Sequence, residues 1–564
     1  MISLPSLQAV ARRATSKFQG RSAGFSLWTL ATLAIAALIL LPILVVLSSL
    51  FANAGDVWAH LSATVLPLYV RNSLLLMASV GIGVIALGVS TAWLVSTCRF
   101  PGRKLFEWGL LLPLAAPAYV LAYVYTDVLD YYGPVQSALR PLFGWQSSAD
   151  YWFPPVRSLG GAAVMLSLVL YPYVYLLVRV AFLEQSVCTL EASRSLGCGP
   201  WQSFWRVALP LARPAIAAGT ALALMETLSD FGTVKYFGVE TFTTGIYRTW
   251  FGLGERVAAS QLASVLLLFI LVLVVLEQRS RRRCRYYQAS ASQQAALCEL
   301  KGWRAGAAWL TCGLPLAFGF GVPSLVLLQM AIANATDNFT DNFWTYARNS
   351  VLVASITALI GVLLALVLAY GRRLQPGLVM NAAVRTAAFG YAFPGMVIAV
   401  GILILAGAAD NALDAWMEQT FGVSTGLLLS GTVAALVLAY LVRFLAVAFN
   451  TVNAGLLRIK PSLDEAARSL GHTPTQTLVR VHTPLMRASL LTAAILVFVD
   501  VMKELPATLI VRPFNFDTLA VQVYRLASDE RLSEAAAPAL AIIVAGLLPV
   551  ALLSWRLRRK RALS

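Results

Sequence analysis

Long apolar runs, separated by short polar loops, recur from one end of the chain to the other. In the first half they cover Leu27–Ser48, Asn72–Thr97, Gly109–Tyr125, Leu159–Val178 and Val257–Leu276, and a further stretch opens at Pro214 and meets Glu226. The second half repeats the pattern with Ala307–Ala331, Asn349–Tyr370, Thr386–Ala409, Gly422–Val442 and Ala535–Trp555, plus a stretch that opens at Ala488 and meets Asp500. A helix that crosses the hydrocarbon core of a bilayer needs about 20 mostly apolar residues. The pattern therefore predicts an all-α integral membrane protein of about twelve transmembrane helices, six per half. Leu27–Ser48 is too long for the core of a signal peptide and reads as an uncleaved first span.

Composition agrees. Of 564 residues, 59% are hydrophobic and 12% charged, about half the charged share of a soluble domain. The net charge of +17 would suit nucleic acid, but the basic residues flank apolar runs: Arg12, Arg13, Lys17 and Arg21; Arg99, Arg103 and Lys104; Arg279 to Arg285; Arg556 to Arg561. That placement marks cytoplasmic loops, so the expected partner is the lipid bilayer and not nucleic acid. Both termini, the Arg99–Lys104 loop, residues 182–213 and residues 277–304 are expected in the cytoplasm. Asp56, Asp127, Asp130, Asp150, Asp337, Asp410 and Asp414 fall in the opposite loops. The six cysteines form no CxxC pair and read as free thiols, and the three histidines have no metal-ligand spacing.

The halves are repeats. Tyr69-Val-Arg71-Asn72-Ser73 returns 277 positions on as Tyr346-Ala-Arg348-Asn349-Ser350, Pro117 returns as Pro394, and Glu191 returns 274 positions on as Glu465. Six spans per unit make this a parallel repeat with its pseudo-twofold axis along the membrane normal, where a pathway usually runs. The expected division is 1–276 for the first half, 277–304 for a basic cytoplasmic linker and 305–564 for the second half. Pro117 and Pro394 are expected to kink spans beside the pathway, and the Arg71-Asn72 and Arg348-Asn349 pairs to anchor helix ends at the outer interface.

Two cytoplasmic loops, 182–213 and 456–487, carry related sequences. One reads Glu191-Ala192-Ser-Arg-Ser-Leu-Gly197 and then Leu209-Pro210; the other reads Glu465-Ala466-Ala-Arg-Ser-Leu-Gly471 and then Thr483-Pro484. Each predicts a short amphipathic helix, a glycine turn, a second short helix and a proline that opens the next span. These loops resemble the EAA motif of the permeases of ABC importers. Ser193 stands for the motif's second alanine in one copy, and Thr483 for the leucine before the proline in the other. The resemblance implies the type I importer permease fold and a coupling role for Glu191, Ala192, Gly197 and Pro210 and for Glu465, Ala466, Gly471 and Pro484. It also implies two copies of a cytoplasmic ATPase subunit, a soluble substrate-binding protein on the outer face, and residence in a bacterial cytoplasmic membrane. The chain has no G-x-x-x-x-G-K-[ST] sequence to cradle phosphates. It is therefore expected to be no enzyme and to hold no cofactor, with ATP and Mg used by the partner subunits.

The stretches Glu226-Thr-Leu-Ser-Asp230-Phe-Gly-Thr-Val-Lys-Tyr-Phe-Gly to Tyr247-Arg248, and Lys503-Glu504-Leu-Pro-Ala-Thr to Tyr524-Arg525, resemble the permeases of ferric-iron importers. Fused thiamine permeases share the two-half layout. The residues themselves place Glu226 and Asp230, like Asp500 and Glu504, four apart on one helix face. Glu226 stands about 18 Å along its helix from Pro214 at 1.5 Å per residue, roughly mid-membrane. A carboxylate there faces a cavity or a partner. Two such pairs would make an electronegative throat suited to a hard cation, with Tyr247 and Tyr524 as possible phenolate donors. The same residues would also serve as a structural ion-pair network with Lys503, Arg248 and Arg525, or as gate latches, so no metal site is assigned. A secondary transporter would equally use the acidic pairs, but would not need the paired loops.

Overall fold

The computed structural model describes residues 27–53, 55–184, 197, 199–282, 298–335 and 339–562. The first half contributes α1 (Leu27–Ser48), α2 (Leu66–Thr97), α3 (Ala118–Leu129), α4 (Leu159–Glu184), α5 (Trp201–Ser229) and α6 (Arg256–Arg282). The second contributes α7 (Trp303–Ala333), α8 (Asp341–Leu374), α9 (Gly395–Phe421), α10 (Val433–Leu456), α11 (Pro474–Met502) and α12 (Leu532–Ala562). Among the described residues, eleven helices are long and apolar enough to cross a membrane, and a bent pair would make twelve.

That bent pair is the expected third span. Gly109–Tyr125 is not one helix: Arg103–Ala115 and Ala118–Phe143 meet at 91°. Pro117 offers no N–H and pushes Ala116 into an extended conformation (φ −96°, ψ 126°), as the residue before a proline prefers. Pro394 does the same to Phe393 (φ −90°, ψ 135°), so α9 starts at Gly395 rather than at Thr386. Both prolines therefore stand in front of a new helix, where the expectation had them kinking a continuous one. The tenth span also shifts, from Gly422–Val442 to Val433–Leu456. Residues 422–432 instead form a loop whose amides are collected by two carboxylates at the end of α9. Asp410 accepts from the N–H groups of Leu428, Leu429 and Ser430, and Asp414 from those of Thr425 and Gly426.

The short helices expected before Pro210 and Pro484 are continuous with the spans. Each joins through one π-helical segment, Phe204–Ala208 and Leu478–His482. A proline inside a helix lacks a donor and its ring crowds the carbonyl four residues back. A widened turn relieves both, so the chain crosses each proline without breaking.

The halves embrace. α1 packs on α8 and α9 of the other half, with Trp28 edge-on to Tyr370 at 5.3 Å and the Thr29 hydroxyl donating to Gln375 at 2.5 Å. α7 crosses the other way: Phe106 meets Trp309 at 5.6 Å and the Tyr125 hydroxyl donates to the Phe318 carbonyl. The segment expected as a linker starts as helix, since α6 runs to Arg282, and ends in the one departure from all-α architecture among the described residues. Strand β1 (Cys98–Arg99) pairs in parallel with β2 (Cys298–Glu299), and the Leu300 N–H donates to the Arg99 carbonyl at 3.0 Å.

The repeat is kept in two pairs of equivalent contacts. Asn72 donates to the carbonyl of Glu240 at 2.9 Å, and Asn349 to the carbonyl of Asp517, 277 positions on, at 3.1 Å. Arg248 pairs with Glu240 at 3.0 Å and Arg525 with Asp517 at 3.3 Å.

Candidate functional site

Interrupted helices surround one cavity between the halves. α5 stops at Ser229 and the chain re-forms a short helix at Gly232–Tyr236; α11 stops at Met502 and re-forms at Pro506–Val511. These two breaks and the one at Ala116-Pro117 line a cavity of about 130 Å³, room for several water molecules. Irregular backbone at membrane depth is tolerated where it is buried in protein or lines such a cavity.

Glu226, Asp230, Asp500 and Glu504 all reach this cavity, but not as two helix-face pairs. Asp230 and Glu504 lie beyond the ends of their helices and cap the short helices that follow. The Asp230 carboxylate accepts from the Val234 N–H at 3.1 Å and the Thr233 hydroxyl at 2.9 Å. Glu504 accepts from the N–H groups of Ala507 and Thr508, at 2.9 and 3.1 Å, and from the Thr508 hydroxyl at 2.8 Å. Capping fixes these two in place. Glu226 and Asp500, 274 positions apart and still on α5 and α11, are the less committed pair, with side chains 23% and 20% exposed.

Two cations join the four carboxyl groups, and both come from the second half. Lys503 pairs with Asp500 at 2.9 Å, not with its neighbour Glu504. Arg443, on α10, lies between the halves: Nη1 is 3.0 Å from Glu504 and Nη2 is 3.5 Å from Glu226. Gly395 makes room for the first contact, since a Cβ there would stand 2.6 Å from both Arg443 Nη1 and Glu504 Oε1. The position 277 earlier, Ala118, carries a Cβ. The ion pairs of the cavity thus run through Lys503 and Arg443, whereas Arg248 and Arg525, expected in the same network, pair with Glu240 and Asp517 instead.

Tyr247 and Tyr524 are not among the cavity's lining residues. They flank Phe231, with ring centroids 4.9 and 5.7 Å from it, and of these three rings it is Phe231 that lines the cavity. The phenols that do line the cavity are Tyr119, Tyr173 and Tyr391, which sequence reasoning missed. Arg443 was missed as well, because the expected tenth span ended at Val442. A lone charge inside an apolar span was the signal that could have found it.

Of the two motif loops, the second is described throughout, whereas Glu191 and Ala192 of the first lie outside the described residues. In the second, Ser462–Ser469 is helical and Gly471 turns the chain at φ +81°; Gly197 has φ +82°. Those angles suit glycine and strain other residues. Glu465 and Ala466 are exposed, with Leu470 beside them 78% exposed. Asp464, the buried neighbour, pairs with Arg373 and with His482, each at 2.6 Å. Arg373 also donates to the carbonyls of Leu456 and Ile459 at 2.8 and 3.0 Å, tying the loop to α8 and α10. Pro484 opens the regular part of α11 and is exposed, and Pro210 does the same for α5, half-buried.

The family described as binding-protein-dependent transport system inner membrane component matches the chain twice, at residues 84–286 and 359–561. Among curated proteins, the chain is 26% identical over 489 residues to "Fe(3+)-transport system permease protein FbpB 2" of Haemophilus influenzae, covering 86% of this chain and 88% of that one. It is 25% identical over 488 residues to "Ferric transport system permease protein FbpB" of Actinobacillus pleuropneumoniae, covering 81% and 66%. A shorter stretch is 32% identical over 150 residues to "Molybdenum transport system permease protein ModB" of Escherichia coli, covering 27% of this chain and 62% of that one.

Proposed function

Because the chain belongs to the binding-protein-dependent transport system inner membrane component family, as a multi-pass permease whose two family domains are fused in one polypeptide, we propose that it carries ferric iron through the cavity between its halves into the cytoplasm, driven by ATP. The observation that carries this reading is the convergence of Glu226, Asp230, Asp500 and Glu504 on one cavity at the half boundary. Hard trivalent cations favour oxygen donors. The names of the two relatives that match most of the chain support the same cargo.

The motif loops are the contact points for two ATPase subunits, one per half. In each, Glu191 or Glu465, Ala192 or Ala466 and the turn at Gly197 or Gly471 present the coupling helix, and Pro210 or Pro484 lets it continue into a cavity-lining span. Closure of the ATPase pair draws the loops together and turns the cavity from inward- to outward-facing. A soluble binding protein delivers iron at the outer face, and the basic loops and both termini face the cytoplasm. Tyr247 and Tyr524 act through Phe231 as packing for the cavity wall rather than as donors to the cargo.

The test is uptake of radioactive ferric iron by proteoliposomes holding this chain, its ATPase and its binding protein, with labelled thiamine and molybdate in parallel. ATP-dependent iron uptake is the expected result. Thiamine or molybdate uptake without iron would overturn the cargo, and loss of neither ATPase binding nor uptake in Gly197→Pro with Gly471→Pro would overturn the coupling role of the loops.

A further inference from the structure

Arg443 is the only charged residue of α10, and the two carboxylates it contacts hold it unequally. Glu504 is immobilised as a cap and sits 3.0 Å from Nη1. Glu226 is 3.5 Å from Nη2, beyond the 2.7–2.9 Å typical of a charge-assisted hydrogen bond. The contact with Glu504 lies within the second half; the contact with Glu226 crosses to the first. The guanidinium therefore has one anchored arm and one loose arm, and the loose arm reaches the carboxylate that is less committed and partly open to the cavity. The second cation shows the same bias toward the second half: Lys503 corresponds to Ser229 at the 274-residue offset.

We infer that Arg443 is the cavity's resident counter-cation and its release device. It occupies Glu226 while the cavity is empty, yields that carboxylate to the entering ferric ion while staying on Glu504, and reclaims it to expel the ion. This rests on the ferric-iron reading above. A cluster of oxygen donors around a trivalent ion binds it tightly, and a pathway conducts only if each site is weak enough to leave. A tethered guanidinium competing for one of the donors supplies that weakness. The exchange is a ligand swap with no change of oxidation state: Glu226 gives up its ion pair with the guanidinium, forms a coordinate bond to the ferric ion, and breaks that bond again as the guanidinium returns.

The test uses the assembled complex in proteoliposomes, loaded with 55Fe(III), followed by detergent extraction and gel filtration to measure iron retained on the complex after turnover. Arg443→Gln is expected to lower uptake at least tenfold and to raise retained iron at least fivefold. The double variant Arg443→Gln with Glu226→Gln loses that retention, because the donor that traps the ion is gone. Arg443→Lys, which keeps the charge but can reach one carboxylate at a time, falls between the unsubstituted protein and Arg443→Gln in both readouts. Lost uptake with retention no higher than in the unsubstituted complex would reduce Arg443 to a structural ion pair and overturn the inference while leaving the cargo intact. If Arg443→Gln fails to assemble, Arg443→Lys decides: retention equal to that of the unsubstituted complex overturns the inference. Absence of iron uptake in the unsubstituted complex would remove the cargo reading and this inference with it.

Discussion

The hydroxyls of Tyr173 and Tyr391 meet 3.3 Å apart, one on α4 of the first half and the other in the turn Gly390–Ala392 of the second. Both line the cavity, so this contact bridges the halves on the wall beside the carboxylates. A hydrogen bond of this kind contributes about 1 kcal/mol net. Tyr173→Phe and Tyr391→Phe are each expected to lower iron uptake about fivefold, and the double variant no further, because both remove the same bond. Losses that multiply in the uptake assay would mean that the two phenols act separately.

Gly395→Ala puts a methyl group 2.6 Å from Arg443 and Glu504. Neither can retreat easily, since Glu504 is fixed by three donors. The expected cost is about 1–3 kcal/mol, as for other overpacked sites, read as a drop in the melting temperature of the detergent-solubilised protein. The converse change at the related position, Ala118→Gly, should cost no more than about 1 kcal/mol.

Asp464 and Glu465 are neighbours with opposite expectations. Asp464→Asn weakens the buried partner of Arg373, and breaking a buried ion pair costs about 3–5 kcal/mol. Thermal unfolding should reveal it. Glu465→Ala touches an exposed side chain and should change stability by less than about 0.5 kcal/mol, yet reduce capture of the ATPase subunit. Unchanged capture would remove Glu465 from the docking surface.

Asn72→Ala and Asn349→Ala each delete the donor to a loop carbonyl in equivalent places. Each should cost about 1–2 kcal/mol, and the two costs should add, because distant sites with no shared partner are independent. A chemical-denaturation series on the single and double variants checks this.

The period of the apolar runs was enough to place most spans, because a bilayer demands length and hydrophobicity and little else. It failed where side chains satisfy the backbone in place of the helix. The first span is helical from the first described residue, Leu27, to Ser48, where it was expected to end. The loop 422–432 looked apolar enough to cross, and what holds it as a loop is a set of hydrogen bonds from its backbone N–H groups to Asp410 and Asp414, on the preceding helix. The break at Pro117 was visible as a proline but not as a 91° turn, because only packing decides between a kink and a new start. For the site, the four carboxylates were legible from their duplication. Their division into groups that cap a following short helix and groups that stay on the span was not, since it depends on where α5 and α11 stop. Nor were Arg443, Tyr173 and Tyr391, which have no counterpart to draw the eye in a search for repeats.

The strand pair Cys98–Arg99 with Cys298–Glu299 joins the start of the second half to the first, so the halves meet as unlike neighbours on one thread. Two identical subunits around a dyad could not keep a single guanidinium near the axis: each would bring its own, and the cavity would hold an even number of every charge. A covalent pair escapes that parity. Glu226 and Asp500 can stay matched while Arg443 and Lys503 accumulate on one side, so the charge inside the cavity can be adjusted one unit at a time.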